Sequence, residues 1–223
     1  NMAFTIRGVN GYSDVEAARL VEISFTYLKR SALAKSILDD LEANGDVCID
    51  VDGQKESFYA HPESSYNTVT TGGTAVWNPK LSVKTTDSKN YRPNVDWVPQ
   101  HKEQARIDVR KRGVALKLAK TFRLSETKKA WQMVNAHKTG TLSVHMCLMH
   151  ELGHALQYAT HREDFLNIKG DSTAIGKVHA QSALEETNLA GVEIPVALEL
   201  NQLGATETPR WVYGHTDGLV RHS

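Results

Sequence analysis

At 223 residues the chain is long enough to bury one sizeable core, and a single domain spanning 1–223 is expected. Its 26 Lys and Arg balance 26 Asp and Glu, so net charge argues for neither a nucleic acid nor a membrane partner, and a monomer is expected. No apolar run approaches the roughly 20 residues of a membrane span, and Cys48 and Cys147 are too few for a disulfide framework, so they read as reduced, buried thiols.

The chain starts at Asn1-Met2, close to a first apparent strand, which leaves room for a targeting leader upstream. Phe4 to Val9 alternate apolar and polar side chains and predict that strand. Ser13 with Glu16 makes a capping box, and the apolar spacing from Val15 to Phe25 predicts a helix to about Arg30. Ser31 opens a second helix that stops at Asn44-Gly45. Val47, Ile49 and Val51 alternate in a strand ending at Asp52-Gly53, and a hairpin to Ser57–Ala60 is expected.

Gly72-Gly73 precede a short strand, Thr74 to Trp77, which reads as a sheet edge able to bind an extended substrate backbone. Leu81 to Lys102, with Pro93, Trp97 and Pro99, reads as a long loop in contact with substrate. Between Lys102 and Lys129 ten basic residues face three acidic ones, a surface suited to an acidic partner or simply to water. Helices are predicted over Val114–Phe122 and Glu126–His137; Lys138-Thr139-Gly140 break the pattern, and Thr141 is placed to cap the next helix.

That next helix carries His150-Glu151-Leu152-Gly153-His154. Two histidines four residues apart project their rings side by side, the arrangement a zinc ion needs, and Glu151 beside them can take a proton from a zinc-bound water. On a helical wheel Leu148, Leu152, Ala155, Leu156 and Ala159 share a stripe, with His150, Glu151 and His154 on another face. Packing has no use for those polar groups. Gly153, costly in mid-helix, marks a close approach by another segment.

A catalytic zinc takes three protein ligands and keeps a fourth position for water. Metzincin spacing fails, because Gln157 and Thr160 stand where Gly and His are required. A glutamate from a later helix is the other common solution, and Ala183-Leu184-Glu185-Glu186-Thr187-Asn188-Leu189-Ala190-Gly191 supplies one. With these motifs, and with Arg210-Trp211-Val212-Tyr213 near the end, the chain resembles the NleD-like bacterial type III effector zinc metallopeptidases and, more distantly, the clostridial neurotoxin light chains.

That resemblance implies an α+β, zincin-like metallopeptidase with a small mixed sheet and an active-site helix. It implies Zn2+ held by His150, His154 and Glu186, with Glu185 in a supporting role behind the ligands. Catalysis would fall to Glu151 as the base, and to Tyr213 and Arg210 as donors to the oxyanion. It further implies a protein secreted by a bacterium, acting in the host cytoplasm on signalling proteins, kinases among them. Two other readings stand beside it: a zinc hydrolase of small peptides, and a non-catalytic effector that binds a host protein. Glu151 argues against the second, since a structural metal has no use for a base.

Overall fold

The computed structural model describes residues 4–66, 68–86, 139–163, 165–166, 184–185, 187–210 and 216–223. It is a mixed α+β structure with two small sheets. β1 (Thr5–Val9) leads into α1 (Asp14–Leu28), whose start is fixed by the expected capping box: Ser13 accepts from the Glu16 amide, and the Glu16 carboxylate accepts from the Ser13 amide. Ala17, Val21, Ser24 and Leu28, spaced four, three and four apart, form the buried stripe of α1. Ser31 caps α2 (Ala32–Asp40), which ends in a π-helical turn at Leu41–Gly45, and left-handed Asp46 then redirects the chain into β2 (Cys48–Asp52).

β3 (Phe58–Ala60), β4 (Thr74–Trp77) and β2 do not form the expected hairpin. The sheet order is β1-β2-β4-β3, with β1, β2 and β4 parallel and β3 antiparallel to β4. β4 has taken the place beside β2 that the sequence suggested for β3. Every residue of β2 is buried, as a central strand covered on both faces requires, so its alternation carried no information about the partner. β4 is correspondingly interior, and β3 is the terminal strand among the described residues. On the buried carboxylate of β2, Asp50, the guanidinium of Arg7 closes two hydrogen bonds of 2.7 Å from the neighbouring strand.

The second sheet, β6-β5-β7, is antiparallel throughout: β5 (Leu81–Thr86) lies between β6 (Thr139–Leu142) and β7 (Thr216–Arg221). The stretch from Leu81 to Thr86, expected as the start of a long loop, is therefore a strand. Residues 87–102 of that loop, the two predicted helices and the basic region lie outside the described residues. Thr139 and Gly140 are strand, not a break.

α3 (Val144–Thr160) carries the histidine motif and packs on β3, β4, β5 and α1, and Trp77 of β4 donates its indole N–H to the Val144 carbonyl at 2.8 Å. A π-helical turn at Leu189–Glu193 continues directly into α4 (Ile194–Gln202). Cys48 and Cys147 are buried free thiols, as expected. Among the described residues no helix is long and apolar enough to cross a membrane.

Candidate metal centre

The start of α3 is held from two sides. Ser143, rather than Thr141, is the cap: its hydroxyl accepts from the Met146 amide, while its own amide donates to Glu207 Oε2 at 2.9 Å. Thr141 is in β6, where its carbonyl accepts from the Thr208 amide. From Met146 to Tyr158 every residue of α3 is buried, the histidine face included. The apolar stripe and the separate histidine face are both covered by other segments. Gly153 shows how close they come. A Cβ built there would stand 2.0 Å from Asn188 Oδ1, and Asn188 Nδ2 donates to the His150 carbonyl at 2.8 Å. The mid-helix glycine is thus the seat of the Asn188 amide, the close approach its cost predicted.

The two imidazoles converge through their Nε2 atoms. His150 Nε2 lies 3.1 Å and His154 Nε2 3.2 Å from one oxygen, Oε2 of Glu185. The other side of each ring is also engaged: His150 Nδ1 is 2.9 Å from Glu193 Oε2, and His154 Nδ1 is 2.7 Å from Gln157 Oε1. With the ring proton on Nδ1 in each case, both Nε2 lone pairs point at one place. The ligand atoms of His150, Glu151 and His154 lie within 4.8 Å of one another. This buried group is able to hold a metal ion.

The charges fit a cation. Burial raises the Glu185 pKa, but hydrogen bonds to His150 and His154 outweigh it and keep that carboxyl well below the usual range. Burial likewise opposes ionisation of Glu193, and the Arg210 charge, with help from His150, overcomes it and holds the pKa at about 2. For His150, burial and Arg210 favour the neutral ring, yet hydrogen bonds to Glu185 and Glu193 raise its pKa to about 9. Without a metal this ring thus holds a proton on each nitrogen, one facing Glu193 and one facing Glu185, and a divalent ion competes with the second for the Nε2 electron pair. Glu151 differs: burial pushes its pKa up against the pull of His150 and His154, which makes it the better proton acceptor.

Glu185, expected behind the ligands, has its carboxylate at both ligand nitrogens; Glu186, the expected ligand, lies outside the described residues. Arg210, expected as an oxyanion donor, pairs with Glu193 through Nε to Oε1 at 3.1 Å and a terminal nitrogen to Oε2 at 2.5 Å. That terminal nitrogen is 3.1 Å from His150 Nδ1, so the guanidinium sits behind the ring, away from Nε2. Tyr213 lies outside the described residues. Among the described residues β4 is an interior strand, and β3 is the terminal strand on its side of the sheet.

Glu193, Gln157 and Asn188 were not singled out as site residues. Gln157 had a readable signal, because it follows His154 by three residues and so shares its side of the helix. Glu193 had none, since only the turn at Leu189–Glu193 brings it back onto His150. Family models, curated proteins and solved structures give no match to this chain. The functional reading therefore rests on the chemistry of the site.

Proposed function

We propose that this protein is a zinc-dependent endopeptidase with a zincin-like fold. One observation carries the reading: two imidazole Nε2 atoms and one carboxylate oxygen meet at 3.1 and 3.2 Å, with both Nδ1 atoms already committed elsewhere. Two histidines and one glutamate, with a further glutamate adjacent, form a donor set of catalytic rather than structural zinc. His150, His154 and Glu185 would hold the ion, which when bound would polarise a carbonyl and bring the pKa of a water towards neutrality.

The remaining work belongs to the chain. Glu151 accepts the proton from the attacking water and delivers it to the departing amine, a task suited to a buried carboxylate of raised pKa. Glu193, neutralised by Arg210, keeps His150 in the metal-binding tautomer. β3, which packs on α3, offers its outer edge to an extended peptide, and backbone pairing there would favour a protein substrate over a compact small molecule. Tyr213 supplies the donor to the oxyanion. Delivery of the protein by a bacterium into a host cell, with signalling proteins as targets, rests on the resemblance of the motifs and their order.

The test is cleavage of host-cell lysate by zinc-loaded protein, with new amino termini identified. Fragments should appear with the parent, disappear on chelation, return with zinc, and be missing with Glu151→Ala. A parent without bound zinc, or a Glu151→Ala protein that cuts like the parent, overturns the reading.

A further inference from the structure

Gln157 is almost completely buried, and each end of its amide has one partner. Its oxygen is 2.7 Å from His154 Nδ1, and its nitrogen donates to the Leu184 carbonyl at 3.0 Å. Leu184 directly precedes Glu185, whose Oε2 returns to His154 Nε2 at 3.2 Å. The contacts close a ring: His154 to Gln157, to Leu184, along the chain to Glu185, and back to His154.

An amide in this ring has only one satisfactory orientation. A carbonyl oxygen cannot donate, so Leu184 requires the nitrogen end of Gln157, and the oxygen is left to face His154. An oxygen there accepts only from a protonated Nδ1, which frees Nε2 as a lone pair. The backbone of Leu184 thereby dictates the tautomer of His154. The same amide fixes the position of the residue before Glu185, so one side chain governs two of the three metal-facing groups.

We propose that Gln157 is the positioning residue of the metal centre, a clasp that sets the His154 tautomer and holds the Glu185 segment onto α3. The proposal rests on the metal-centre reading above and deepens it. His150 is backed differently, by a carboxylate with its own arginine and with the Asn188 amide nitrogen 3.3 Å from its Nδ1.

Zinc affinity measured by competition with a chromophoric chelator tests both halves of the clasp. Gln157→Met, close in size but unable to accept from Nδ1 or donate to Leu184, should bind zinc about 10- to 100-fold more weakly, the usual cost of losing a group that orients a ligand. Gln157→Glu keeps the acceptor and loses the donor, and should recover part of that loss. Ring-nitrogen NMR of the zinc-loaded parent adds a readout independent of any variant and of turnover: the His154 Nδ1 proton should be present and slow to exchange with solvent.

A Gln157→Met protein as tight as the parent, or a His154 Nδ1 proton that exchanges as fast as in an exposed imidazole, overturns the clasp while leaving the metal centre intact. A parent that binds no zinc overturns both.

Discussion

Two adjacent glutamates on a helix point about 100° apart, so only one of Glu185 and Glu186 can face a given ion. The sequence offers the pair but not the phase of its helix, which is set by how the segment docks on α3. Glu185 Oε2 is in contact with both Nε2 atoms, which is why Glu185 is the ligand proposed above. Glu185→Ala should therefore weaken zinc binding more than Glu186→Ala in a competition titration; the reverse order would return the ligand to Glu186. Glu151→Ala should hold zinc about as tightly as the parent and lose turnover by several orders of magnitude, because its carboxylate moves protons. Loss of the metal in that variant would show it to be a ligand instead. With Arg210 behind His150, Tyr213 is the residue proposed as the oxyanion donor. Tyr213→Phe should keep its zinc and lose roughly 10²-fold in kcat with little change in KM, and near-parental kcat would remove it from the site. His150, Glu151 and His154 were legible because their spacing is local to one helix. Arg210 was read as a site residue but its pairing with Glu193 was not, because two residues 17 apart in sequence meet only through tertiary packing.

At the level of elements, helices announced themselves through caps and strands did not announce their partners. The box at Ser13 and Glu16 and the cap at Ser31 are decided by neighbours three residues away, and both are present as read. Whether β2 pairs with β3 or with β4 is decided by which strand buries more against α3, a question no local pattern answers. Gly153 stands between these cases, since its cost in a helix was visible and its partner was not. Gly153→Ala sets a gain of about 1 kcal/mol in helix propensity against a collision with the Asn188 amide. The collision should win, because Asn188 also serves the His150 carbonyl and cannot withdraw freely. A net loss of about 1–3 kcal/mol is expected from thermal denaturation of the metal-free protein. A variant more stable than the parent would show that the amide moves aside at little cost.

For the whole molecule, a metal that binds only the folded state adds stability by mass action, about 2.7 kcal/mol at a hundredfold excess over Kd. For a domain of this size that corresponds to a rise in Tm of roughly 5–10 °C on zinc loading. Glu151→Ala should show the same rise and Glu185→Ala a smaller one, and equal curves with and without zinc would contradict a folded-state metal site. The centre is also tied to distant parts of the chain: Glu207 accepts from Tyr27 of α1 at 2.5 Å and from the Ser143 amide, three residues before Arg210 reaches Glu193.

The order of the first sheet governs how these parts can assemble. β3 is synthesised before β4, yet β4 is its only strand partner among the described residues, and β4 also pairs with β2. A nascent chain holds no native strand partner for β3 until β4 has emerged, and only with β4 in place does β3 become the outer strand whose far side is proposed to receive substrate. Its backing by α3 waits longer still, for a helix that begins at Val144. The edge proposed for a peptide is thus completed late, and a chain halted before α3 would present β3 without the helix that carries Glu151.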